Sequence, residues 1–97
     1  MDESFVAKLL DVGTEVEFEA GHVLIEVGQP ASGLFLIRHG TVTVEAPGET
    51  VELGAGNIVG DYGLEDPHGI RSARVVAKTD VRAVAVDRAA YEAARSG

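Results

Sequence analysis

The chain has no cysteine. That excludes a disulfide framework and any thiolate metal site, and it agrees with a reducing cytoplasm. No apolar run approaches the roughly 18 residues that a membrane span needs. The N-terminus, Met1-Asp2-Glu3-Ser4, is acidic where a secretory leader carries positive charge. Positive charge is scarce throughout: eight Lys and Arg stand against sixteen Asp and Glu, a net charge of −8. Such a surface repels nucleic acid and anionic membrane, so neither is expected as a partner. An anion that binds here needs a local positive hollow set against the overall field. Histidine is sparse and scattered, with His22, His39 and His68 far apart in or beside loops. The paired histidines and spaced glutamate of a metal-holding barrel are missing, so no metal and no cofactor is expected. No Ser-His-Asp order stands out, and Glu65-Asp66 reads as a solvated loop face rather than an acid/base pair. No catalytic residue is assigned. The sequence also lacks internal repeats and low-complexity segments.

What is present is a string of short apolar segments divided by glycine turns. Ninety-seven residues make one domain, 1–97, with one modest core. Phe5, Val6, Leu9 and Leu10 form one face of a short helix, with Ser4 as its cap and Gly13 as its stop. Val16 to Glu19 and His22 to Val27 read as strands, and 28–33 is a turn cluster. Leu34 to Ile37 is apolar on both faces and is expected to be buried on both sides. Arg38-His39-Gly40 turns the chain into Thr41 to Glu45, where Val42 and Val44 alternate inward. Thr50 to Leu53, Ile58-Val59, Ser72 to Lys78 and Val81 to Val86 are further strands, and Asp87 caps a final alanine-rich helix. Many short strands with evenly spaced glycine turns predict a mainly β fold, a sandwich or jelly-roll β-barrel with short flanking helices.

One stretch, 60–73, carries chemistry: Gly60-Asp61-Tyr62-Gly63-Leu64-Glu65-Asp66-Pro67-His68-Gly69-Ile70-Arg71-Ser72-Ala73. Its first half suits a single helical turn whose leading N–H groups stay free, and free N–H groups attract phosphate. Its second half brings an arginine, whose planar fork of donors fits phosphate oxygens in pairs. Added to these are one hydroxyl and one carboxylate able to accept from a sugar. Those are the parts needed to hold a phosphorylated ribose. Period-two geometry groups Ala73, Val75 and Ala77 on one strand face. If the strand already includes Arg71, its guanidinium lies on that apolar face and requires an anionic partner.

The stretch resembles the phosphate-binding cassette of the cyclic-nucleotide-binding domains, the family of the bacterial catabolite activator protein and of kinase regulatory subunits. That family reads G-E-x-[AG]-L, a variable loop, then R-[TS]-A. Gly60-Asp61-Tyr62-Gly63-Leu64 and Arg71-Ser72-Ala73 fill those positions, and the hairpin with Gly40 before its returning strand also matches. The resemblance covers roughly 16–94. It implies a jelly-roll barrel, no catalysis, and a regulatory module that binds cAMP ahead of cGMP. The cyclic phosphate would rest on the N–H groups of Gly63 and Leu64 with Arg71 as counter-charge.

Several residues keep two readings. Arg71 is a phosphate ligand or half of an internal ion pair with Asp61, Glu65 or Asp66. Asp61 stands where the family has a glutamate that accepts from the ribose 2′-hydroxyl. Being about 1.5 Å shorter, it reaches the sugar through a water or simply caps the turn. Ser72 bonds the ligand or is a solvated strand start. Gly60 and Gly63 serve tight backbone geometry either way, while Leu64 and Val59 read as core, and Tyr62 projects from the turn. Family members carry a long helix after the barrel, and one branch a helix-turn-helix domain; neither pattern follows Val86. The expectation is a module that acts alone, signals to a separate protein, or belongs to a longer chain, with a loosely held base and weak binding. The rival expectation is a ligand-free interaction module with a degenerate cassette and a self-associating apolar face that makes a homodimer.

Overall fold

The computed structural model describes residues 3–61, 64 and 69–96. Helix α1 (Glu3–Val12) is followed by eight strands: β1 (Thr14–Phe18), β2 (Val23–Ile25), β3 (Gly33–His39), β4 (Val42–Ala46), β5 (Glu49–Leu53), β6 (Ile58–Val59), β7 (Arg74–Ala77) and β8 (Val81–Asp87). Helix α2 (Arg88–Ser96) closes the order. The strands form two four-stranded antiparallel sheets, β1-β8-β3-β6 and β2-β7-β4-β5. Eight strands in those two orders are a jelly roll, so the expected mainly β fold is the observed one.

The alternation of each strand sends residues two ways. Ile37, Val59, Val81 and Ala83 from the first sheet meet Ile25, Val42, Val75 and Ala77 from the second, all buried between the sheets. The opposite face of the first sheet presents Leu34, Leu36, Val84 and Val86 to the helices, where Leu9, Tyr91 and Ala94 cover them. Phe5 and Tyr91 meet edge to face at 6.0 Å and join α1 to α2. This is why Leu34 to Ile37 is apolar on both faces: one face fills the sandwich and the other seats the helices.

Three local expectations are corrected. The first helix begins at Glu3, so Ser4 sits inside it and does not cap it, although Gly13 N–H still closes it on the Leu9 carbonyl at 2.9 Å. Arg38 and His39 belong to β3, which runs on past a bulge in its pairing with β8. The turn falls instead at Gly40 (φ +91°), where a Cβ would lie 2.2 Å from the Asp80 carbonyl oxygen. Finally, β7 starts at Arg74, so neither Arg71 nor Ser72 is a strand residue. Asp87 does cap α2, its Oδ1 accepting from Ala90 N–H at 2.7 Å.

Candidate functional site

The sequence placed Arg71 on the inner face of a strand only if the strand after the loop already included it. The structure buries it by another route. Segment 69–71 runs antiparallel to 28–31: Ala31 N–H donates to the Gly69 carbonyl (2.9 Å), Arg71 N–H to Gln29 (2.7 Å), and Gly28 N–H to Arg71 (2.9 Å). Both backbone groups of Arg71 are therefore fixed. Its side chain turns inward and is only 9% exposed. There Nη1 donates to the Gly60 carbonyl and Nη2 to the Gly33 carbonyl, each at 2.6 Å.

Those acceptors lie at the start of β3 and just after β6, which pair through Phe35 with Val59. The guanidinium thus staples one end of the sandwich. Its acceptors are neutral carbonyls. Among the described residues no carboxylate forms an ion pair with Arg71, whereas Arg74 pairs with Glu26, Lys78 with Glu52 and Arg82 with Glu17. Burial first, and the nearby Arg88 cation second, push Arg71 below the ordinary arginine range. An arginine stays protonated regardless. Two of its five donors are used by Gly33 and Gly60, and among the described residues the other three meet no acceptor.

Gly60 is fitted to this cation. Its φ is +86°, and a Cβ there would lie 2.8 Å from Ile25 Cδ1, 3.0 Å from Arg71 Nη1 and 3.1 Å from the Gly33 carbonyl oxygen. Only glycine accepts both the torsion and the crowding.

Beside the guanidinium opens a cleft of about 180 Å³. Its walls are apolar, from Ile25, Val44, Leu53, Ile58, Val59 and Val75, and its polar end holds Gly60, Asp61, Arg71, Ser72 and Ala73. Ser72 and Asp61 are exposed there. The sequence-predicted residues Gly60, Asp61, Arg71, Ser72 and Ala73 are thus gathered at one place. Leu64 is not with them: it is fully buried among Leu9, Tyr91 and Ala94, a core residue as its alternative reading had it. Its N–H donates to the Asp61 carbonyl at 3.2 Å and closes the turn, so this amide is occupied rather than free for phosphate. Tyr62, Gly63, Glu65, Asp66 and His68 lie outside the described residues. A second hollow of about 230 Å³ reaches the other side of Arg71 between Leu24, Phe35 and Ala85. A broader depression of about 990 Å³ lies along β1 between Glu15, Glu17, Arg38 and Arg82, and no predicted site residue lines it.

Sequence reasoning missed Gly33, whose contribution is a carbonyl that no residue type announces. It also missed Arg88, read there only as part of a helix. The wall residues Val44 and Leu53 were available from strand alternation, since both are inward positions near the open end.

Comparison with known proteins identifies the family. Residues 15–96 match the family model described as cyclic nucleotide-binding domain. A cyclic nucleotide-gated potassium channel of Rhizobium etli is 45% identical over 64 residues, 64% of this chain and 17% of the channel. Among solved structures, the regulatory subunit of a cAMP-independent protein kinase A from Trypanosoma brucei superposes with a TM-score of 0.81 at 29% identity, over 99% of this chain and 37% of that one. A protein from work on a cyclic-GMP-dependent signalling pathway in bacterial phytopathogenesis superposes at 0.85 with 24% identity, over 95% and 76%. The c-di-GMP-responsive regulator CLP of Xanthomonas campestris does so at 0.79 with 18% identity, over 94% and 47%. The last two likenesses speak to the fold alone.

Proposed function

The chain belongs to the cyclic nucleotide-binding domain family, and we propose that it is a regulatory module that binds cAMP, ahead of cGMP, in the cleft beside Arg71. The observation that carries this reading is the buried guanidinium, which meets two carbonyl oxygens and, among the described residues, no acid. A cyclic phosphodiester brings the single negative charge that this cation lacks. Asp61 and Ser72 would face the ribose, and Ile25, Val44, Leu53 and Ile58 would flank the base. At about 180 Å³ the cleft is below the roughly 300–1,000 Å³ of enclosing ligand pockets. The base would therefore stay partly open to water, which favours modest affinity. The occupied state would be read by another protein or domain.

The ligand-free interaction module requires Arg71 to be neutralised internally. Its Asp61 pairing is not found, and Glu65 and Asp66 lie outside the described residues. Calorimetry with cAMP and cGMP separates the two readings. The expected result is a saturable heat with the native protein that Arg71→Lys weakens by more than tenfold, because a point charge cannot keep both carbonyls and grip a diester. No heat from either nucleotide at millimolar concentration would overturn the proposal.

A further inference from the structure

Arg71 stands between two hollows, and the binding reading uses one of them. Its carbonyl partners mark the division. Gly60, bonded by Nη1, lines the cleft, whereas Gly33, bonded by Nη2, lines the second hollow of about 230 Å³. Among the described residues, Ile25 and Arg71 alone line both. The second hollow is open because two small residues border it. Gly33 can carry no side chain there, since a Cβ would run into the Val86 carbonyl oxygen. Ala85 pairs with Phe35 of β3 and, by alternation with the buried Val81 and Ala83, stands at an inner position of β8. Leu24, Ile25 and Phe35 supply apolar walls, and the exposed Gln29, Ser32 and Asp87 stand at the rim.

We propose that the second hollow is a binding site for a small organic monocarboxylate with an apolar body, whose occupant opposes the nucleotide by drawing on the same guanidinium. The site itself is a property of the free protein; the antagonism rests on the binding reading above. Size limits the occupant, because about 230 Å³ is below the roughly 300–1,000 Å³ of pockets for larger ligands. Charge selects it. Arg71 is 9% exposed, and among the described residues three of its donors meet no acceptor. A desolvated cation of that shape favours a carboxylate, whose two oxygens fit the planar fork. A second negative charge would meet Asp87 at the rim and a net charge of −8. The walls select the rest, since Leu24, Ile25 and Phe35 favour an apolar body over a small hydrated ion. Two anions on opposite sides of one cation share its attraction and repel each other, so each weakens the other equally.

The test takes benzoate as the probe and follows the methyl and ring NMR signals of the native protein. Benzoate at millimolar concentration should move Leu24, Phe35 and Ala85 saturably. Acetate, which lacks the apolar body, and benzamide, which lacks the charge, should each bind about tenfold more weakly or worse. Ala85→Leu fills the hollow without touching the cleft, so it should abolish the benzoate response and keep the heat of cAMP binding. Leu24→Phe narrows the hollow from the opposite wall and decides the matter if the first variant fails to fold. Saturating benzoate should raise the apparent Kd for cAMP by about tenfold. The site is overturned if those three residues stay unmoved, if benzoate moves only Val44 and Leu53 in the cleft, or if acetate or benzamide binds as well. Native benzoate affinity in the folded variants overturns it too. An unchanged cAMP affinity under saturating benzoate overturns the antagonism. No heat from cAMP with the native protein would count against the binding reading, and the benzoate titration would still decide the second site.

Discussion

Two arginines three positions apart live in opposite worlds. Arg74 opens β7 on the outside of its sheet and grips Glu26 with two parallel hydrogen bonds, Nε to Oε2 and Nη2 to Oε1, both at 2.8 Å. Arg71 lies inside, held among the described residues by backbone oxygens alone. The outer pair has good geometry and little to offer the fold, because water would solvate both charges almost as well. The inner one has lost its water and gained dipoles instead of a counter-ion. A charge complete in itself needs no ligand, whereas a desolvated charge with only neutral acceptors favours one. Side-chain chemistry is identical at the two positions, so what separates structure from function here is the dielectric and the partner.

The comparison can be broken from the inner side first. Arg71→Ala should abolish measurable nucleotide binding by calorimetry. It should also lower unfolding stability by about 2–3 kcal/mol in a urea titration, because the Gly33 and Gly60 carbonyls lose their donor. Gly60→Ala should come next. The +86° torsion and the 2.8 Å approach to Ile25 predict a loss of about 1–3 kcal/mol. Binding should fall as well, since the added carbon presses on Arg71 Nη1. Leu64→Ala should cost a comparable 2–5 kcal/mol by removing a fully buried side chain, but its effect on affinity should follow stability rather than exceed it.

Asp61→Ala sharpens the comparison at the rim. If its carboxylate accepts from the ribose, the substitution should cost cAMP about threefold to tenfold in affinity and cost 2′-deoxy-cAMP almost nothing. That non-additivity is the mark of a direct or water-bridged contact. An equal loss with both ligands would leave Asp61 as a capping residue.

The smallest effects belong to the outer pair. Glu26→Gln should leave nucleotide affinity unchanged and shift the melting temperature barely, and Arg74→Ala should do the same. The pH dependence has a definite sign. Its hydrogen bond to Arg74, above all, holds the Glu26 carboxyl below the ordinary glutamate value. A carboxyl depressed on folding stabilises above its unfolded value and loses that contribution as pH falls through the folded one. The pair's small share should therefore fade only in acid, below the usual glutamate range, and a thermal melt at neutral pH should not see it titrate.

Much of this was legible in the sequence because it was written in side chains. Gly40 marked a hairpin, Asp87 a helix start, and the doubly apolar Leu34 to Ile37 the strand between two cores. Of the first motif half, Gly60 and Asp61 line one cleft with Arg71, Ser72 and Ala73 of the second. Burial of Arg71 was anticipated only if it belonged to the following strand; instead the chain brings it inside through pairing with 28–31, ahead of β7. The carbonyls of Gly33, Ala31 and Leu64 left no trace in the sequence, since every residue has one and only the fold decides where it points. The same reason hid Arg88, whose guanidinium donates to the last two. Leu64 shows the reverse case. Its motif position suggested an amide for phosphate, yet burial of its side chain and closure of the 61–64 turn set its role in the fold.

The decisive measurement is the set of guanidinium N–H resonances of Arg71, followed by NMR as cAMP is added. A diester seated on the free donors should move those signals saturably, along the binding curve obtained from calorimetry, and slow their exchange with water. If the nucleotide saturates the protein while the Arg71 signals stay where they were, the charge at the centre of the cleft is not what receives the phosphate.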